Sequence, residues 1–162
     1  MKWLLLLLVI SCAHAPGEYL AFKYQDLLKK NEVKDVMTTC ARIDLKSHPM
    51  SWYFRNNIRN NNSDLTKPNF NGHYHLLESP LSGGSNWFVA DCKTGKVKGT
   101  DLVGDLLFNA HSSVLVRNPP DVDATYDTYE DEMPATGYPE VYKWMNDEMV
   151  LQKNRIQPAN KL

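Results

Sequence analysis

Two imidazoles stand one residue apart at His73-Tyr74-His75. On a strand, side chains two positions apart share a face, so the pair has a spacing that zinc or haem iron could use. A metal site needs a third ligand, and His48, His111 or a carboxylate would have to come from elsewhere in the fold. Half-exposed histidines on a sheet are the commoner meaning of such a pair, and no metal is assigned. Asp121, Asp123, Asp127, Glu130, Asp131 and Glu132 form an acidic run. It lacks the glycine and the ligand alternation of a calcium loop and reads as a solvated helix face. There is no G-x-S-x-G elbow, no P-loop and no dinucleotide fingerprint, and Gly83-Gly84-Ser85 reads as a turn. The residues point to no enzyme and no cofactor.

The remaining chemistry is that of thiols. Lys2, the apolar run Leu4 to Ile10 and the small residues Ser11-Cys12-Ala13-His14-Ala15 have the make-up of a cleavable secretion signal. The run is shorter than the roughly 20 apolar residues that a membrane-spanning helix needs. Pro16 disfavours a cut after Ala15, so Ala13 is the preferred site. The alternative is a bacterial lipobox, Val9-Ile10-Ser11-Cys12, which would anchor the protein through Cys12. Export leaves Cys40 and Cys92, which in an oxidising compartment are expected to pair; a free, reactive thiol pair is the alternative. Asn61-Asn62-Ser63 is a glycosylation sequon in a polar loop, with meaning in a eukaryotic host.

Composition narrows the class. Eighteen Lys and Arg balance nineteen Asp and Glu, and the basic residues are scattered. That argues against nucleic acid or an anionic membrane surface as the main partner. An apolar content of 43 % with eight tyrosines indicates a folded globular protein and not a disordered effector. No further segment reaches membrane-spanning length.

The elements that would position these residues follow from periodicity. Glu18 to Lys30 reads as a helix, with Leu20, Tyr24, Leu27 and Leu28 on one face, and a second short helix is expected from Val33 to Cys40. Strands are expected around Ser51–Ile58, His73–Glu78, Trp87–Lys93 and Leu106–Arg117, separated by Asn- and Gly-bearing turns. After Asn118-Pro119-Pro120 the pattern predicts a helix to about Met133. Another follows from Pro139 or Glu140 to about Asn154, with Val141, Met145 and Met149 along one face packed on the sheet. The expected plan is mainly β with flanking helices. It comprises a leader over 1–13, a helical extension over 14–39, and a single β-rich domain over 40–162 formed by an antiparallel meander with C-terminal helices.

Three stretches, in order, resemble lipocalins of the group that includes apolipoprotein D and the bilin- and carotenoid-binding proteins. Ile43-Asp44 followed by Trp52-Tyr53 is similar to the family's opening motif, with Met50 where the family has glycine. Asn86-Trp87-Phe88-Val89-Ala90-Asp91-Cys92 is similar to a late strand whose cysteine bridges to one before the Trp motif, where Cys40 lies. Ser113-Val114-Leu115-Val116-Arg117-Asn118-Pro119 is similar to the last barrel strand with its Arg-x-Pro. The resemblance implies a shortened lipocalin-like barrel whose floor is closed by Arg117 stacked on Trp52. It further implies a secreted carrier or scavenger of a small apolar ligand, a lipid or pigment, with Phe54, Tyr74, Leu76, Phe88 and Phe108 as candidate lining. Only about 40 residues separate Trp52 from Cys92, about half of what the family uses there. A shortened barrel, an open half-barrel and a different α+β fold therefore all stay open. The functional alternative is a secreted, non-enzymatic interaction protein, an inhibitor or effector with a protein partner and no ligand cavity. Helix followed by meander also resembles the general plan of cystatins, although their Gln-x-Val-x-Gly loop is absent.

Overall fold

A computed structural model describes residues 20–119 and 139–152. The expected leader with its candidate cleavage sites, Cys12, the acidic run and the helix expected to end near Met133 lie outside these residues. What is described is mainly β with a few short helices.

Helix α1 (Leu20–Lys30) ends on Lys29 and Lys30, cations that suit a helix C-terminus. The Asn31 side-chain amide donates to the Leu27 carbonyl and closes the last turn. The helix expected over Val33 to Cys40 does not form. Tertiary partners take its backbone groups instead: Val33 N–H donates to His111, Met37 to Gly72 and Cys40 to Thr66. The strand expected at Ser51–Ile58 is also absent. Asp44 caps a 3-10 turn (Leu45–Ser47), and Pro49 at the first helical position starts α2 (Pro49–Tyr53), which leads into α3 (Arg55–Asn61). The buried Ser51 hydroxyl donates to the Leu45 and His48 carbonyls and fixes this corner.

Strands β1 (Tyr74–Leu81), β2 (Gly84–Asp91) and β3 (Val97–Val103) form one antiparallel sheet in that order. At the β2–β3 turn Gly95 has a φ of +75°, and a Cβ there would collide with the Arg42 carbonyl oxygen. A second antiparallel sheet has the order β4 (Leu106–Leu107), β5 (Val114–Arg117), β6 (Glu140–Met145), β7 (Glu148–Leu151). The helix expected from residue 139 or 140 onward is therefore a hairpin. Asn146 and Asp147 both adopt positive φ, +52° and +64°, the requirement of a two-residue turn matched to strand twist.

Period-2 alternation sorts the side chains into three layers. Leu76, Trp87, Val89 and Leu102 of the first sheet meet Leu115 and Trp144 of the second, with Phe70 between them. On the outer face of the first sheet, Leu77, Phe88, Ala90 and Val97 pack under Leu45 and Ile58. On the outer face of the second, Val114, Val116 and Val141 pack under Tyr24 and Leu28 of α1. The sheets lie face to face and are not closed into a barrel.

Cys40 and Cys92 form a disulfide. The bridge fastens the irregular segment before the 3-10 turn to the end of β2, where Ala41 N–H also donates to the Cys92 carbonyl.

The floor contact expected between Trp52 and Arg117 does not occur. Trp52 lies on α2, 39 % exposed, with the Arg55 guanidinium 4.6 Å and the Lys46 ammonium 5.1 Å from its ring. Arg117 on β5 pairs with Glu140 at 2.5 Å and sits over Tyr142. Exposed cation–π contacts contribute roughly 0.5–1 kcal/mol, so Trp52→Ala is expected to cost about 1 kcal/mol in urea unfolding. A loss of a core residue's size would restore a closing role for Trp52.

Candidate functional site

Each sheet has two edges, and the described strands leave β1, β3, β4 and β7 with one neighbour apiece. Among the described residues, two clefts lie beside these edges.

The smaller, about 390 Å³, runs along β1. Its wall is an arrangement of asparagine side chains. Asn69 accepts from Leu76 N–H at 2.7 Å and donates to the Leu76 carbonyl at 3.0 Å. Asn62 does the same for Glu78, at 3.1 and 3.0 Å. Asn57 donates to the carbonyl of Pro80, which has no N–H to satisfy. One amide side chain thus replaces one residue of a missing neighbour strand at each alternate position, which protects the edge from pairing with another chain. Leu76, Trp87 and Phe108 give the cleft an apolar side, and Asn61 lies on its rim, exposed, with its amide donating to the Asn57 carbonyl.

His75 is buried at this wall, and its Nδ1 donates to the Lys67 carbonyl at 2.7 Å. Burial pushes its pKa below the ordinary 6.5, outweighing the Lys67 carbonyl and the Asp64 carboxylate, which favour the cation. The unfolded chain therefore takes up this proton at a higher pH than the folded one. The stability contribution is intact above pH 6.5 and is lost as pH falls through that value toward the folded pKa. Melting temperature is expected to drop on acidification below about pH 6.5, and His75→Asn, which keeps a donor to Lys67, to flatten the drop. An unchanged slope in that variant would exclude His75 as the cause. His73 is exposed, and among the described residues no group of three or more His, Cys, Asp or Glu is placed to hold a metal.

The larger cleft, about 530 Å³, lies between the edge strands β3 and β7. Leu102, Tyr142, Trp144, Met149 and Leu151 line it, and Thr100, Asp101, Asp147 and Glu148 supply polar groups. The sequence logic is again alternation. Tyr142 and Trp144 share one face of β6 and stand opposite Leu151 and Met149 of β7. Asp147 anchors one end: it accepts from Lys98 Nζ at 2.9 Å and from the Tyr74 hydroxyl at 3.0 Å. These bonds, the Lys98 one foremost, hold its carboxyl below the usual carboxylate range. Burial pushes the Tyr74 and Tyr142 hydroxyls up, so both remain neutral donors. Trp144 is 8 % exposed; its indole N–H lies beside the Tyr74 hydroxyl without the alignment of a hydrogen bond.

The residues expected to line a single calyx are divided among three places. Leu76 and Phe108 border the smaller cleft. Tyr74 meets the Trp144 ring at a tilt, with the centroids 4.8 Å apart, at the Asp147 end of the larger one. Phe54 and Phe88 lie on the outer face of the first sheet, under the helices, because residue 88 alternates with the inward Trp87 and residue 54 is at a helix junction. The larger cleft escaped the sequence reading because residues 97–103 and 140–151 were not expected to be strands. The available signals were Val97, Thr100, Leu102 and Val103 after the Thr94-Gly95 turn, and the alternation of Tyr142 and Trp144 before Asn146. Comparison with family models, curated proteins and solved structures finds no match to this chain.

Proposed function

We propose that this is an exported, non-enzymatic binding protein whose ligand lies in the cleft between β3 and β7, and not in a central calyx. One observation carries this reading. The space between the sheets is filled by Phe70, Leu76, Trp87, Val89, Leu102, Leu115 and Trp144, while the lateral cleft combines an aromatic and aliphatic floor with a polar rim. Its volume of about 530 Å³ falls in the range of ligand pockets. Export is supported by the Cys40–Cys92 disulfide, by the leader sequence and by the absence, among the described residues, of any helix long and apolar enough to cross a membrane. N-terminal sequencing of the secreted product tests it: a start at His14 or Pro16 is expected, whereas a lipid-modified Cys12 would make the protein membrane-anchored.

The binding test is a titration of the oxidised chain with retinol, fatty acids, bilins, haem and short peptides, following tryptophan fluorescence. A ligand of the cleft changes the Trp144 signal, and the change disappears in Trp144→Phe and in Leu151→Trp, which crowds the rim. If no compound alters the emission, or if the change survives both variants, the cleft is not the site. A second reading, a lipocalin-like carrier of a small apolar ligand, is supported by the bridge from Cys40 to the end of the Trp87 strand. It expects retinol or bilin to bind and peptides to be inert.

A further inference from the structure

We infer that the larger cleft accepts an extended peptide segment bearing a basic side chain, laid as an added strand along β7. This rests on the cleft being the binding site and names what it binds.

Two independent observations converge. First, the cleft lies beside two edge strands. Strand β7 has β6 as its one described neighbour and β3 has β2, and residues of both border the same opening. A strand added at such an edge gains main-chain hydrogen bonds, and alternate side chains enter the pockets beside it. Four residues of β7 span about 13 Å, enough to pair with a segment of similar length.

Second, the rim is acidic. Asp147 is engaged by Lys98, but Asp101 and Glu148 have no ion-pair partner among the described residues. Two carboxylates beside an aromatic floor attract a Lys or Arg head group whose methylene stem can lie on Met149 and Leu151. The same charges repel ligands that carry carboxylates, such as fatty acids, bilins and haem.

The experiment is a selection from a displayed library of random peptides about eight residues long, on the immobilised, oxidised full chain. Recovered sequences are then synthesised and titrated. Expected are peptides with one Lys or Arg flanked by alternate apolar residues. Their affinity should fall at least about tenfold in the double variant Asp101→Asn/Glu148→Gln, and should weaken with added salt. Recovery of no peptide, of peptides without a basic residue, or of peptides indifferent to the double variant overturns the inference. Its failure is separable from that of the cleft itself. A neutral apolar compound lost in Leu151→Trp but retained in the double variant would leave the cleft as the site and exclude the peptide.

Discussion

Removal of the Cys40–Cys92 bridge, by reduction or by Cys40→Ser/Cys92→Ser, is expected to lower the unfolding free energy by roughly 4 kcal/mol. The bridge closes a loop of 52 residues, and that span sets the constraint on the unfolded chain. The folded chain depends on it in a second way. Residues 33–44 contain no helix or strand, and they are held by single backbone hydrogen bonds to Cys92, Gly95, Thr66, Gly72 and His111. Without the cross-link, each of these contacts must independently offset the entropy of ordering the segment. Small domains are stable by about 5–15 kcal/mol, so the loss takes a large fraction. Parallel urea titrations of oxidised and reduced protein measure it. A difference under about 1 kcal/mol would show that the segment stays in place without the bond.

Trp87→Ala is expected to cost about 3–5 kcal/mol. The indole is 6 % exposed between the sheets, meets Phe108 edge-on at 5.7 Å, and donates from Nε1 to the Gly104 carbonyl at 2.8 Å. Gly104 is at the corner where the chain leaves β3 for β4, with Gly104 N–H donating back to Ser85. Trp87 thus secures the passage from one sheet to the other as well as filling the core. Trp87→Phe, which keeps most of the apolar volume but orphans the Gly104 carbonyl, should cost about 1–3 kcal/mol. Equal costs for the two variants would place the whole effect in the hydrogen bond. Set against the small cost expected for Trp52→Ala, the pair measures which tryptophan belongs to the core.

The parts of the fold that could be read from the sequence are those in which local preference and burial agree. The β1 and β2 strands were legible because His73–Glu78 and Trp87–Lys93 combine aromatic and aliphatic residues with flanking glycine turns, and both faces of these strands are covered. The N-terminal helix was legible from Tyr24, Leu27 and Leu28, which pack on the second sheet. Strand β3 was not, because polar Lys98, bonded to Asp147, and Thr100, which borders the open cleft, alternate with Leu102, so the expected apolar alternation is broken. The β6–β7 hairpin was read as a helix because Val141, Met145 and Met149 fit a helical spacing. The Asn146-Asp147 turn decides otherwise, and Met145 is in fact exposed. Trp52-Tyr53 was read as strand because aromatic residues favour sheets, but Pro49 starts a helix four residues after Leu45 and Ser51 locks it there.

The candidate site was legible only in fragments for the same reason. Its two walls are edge strands far apart in sequence, and each is half exposed and of mixed polarity. The disulfide was expected from cysteine number and compartment, and its placement is what the structure adds: it ties the irregular N-terminal segment to the β2 end. A lateral cleft has no sequence signature comparable to a catalytic motif, because what defines it is the failure of two sheets to join.

The asparagine wall of β1 has a consequence for the ageing of the protein. A strand that covers an edge is chemically durable, whereas a side-chain amide hydrolyses slowly in water to a carboxylate. At Asn62 the lost NH2 is the group that donates to the Ile58 carbonyl at 2.6 Å and the Glu78 carbonyl at 3.0 Å, so a carboxylate oxygen would face two carbonyl oxygens. Stored protein should therefore accumulate a fraction whose β1 edge has opened. Asn62→Asp reproduces that fraction at once and is expected to lose about 1–3 kcal/mol and to scatter light on incubation. If Asn62→Asp keeps its stability and stays monodisperse, the edge does not depend on this amide.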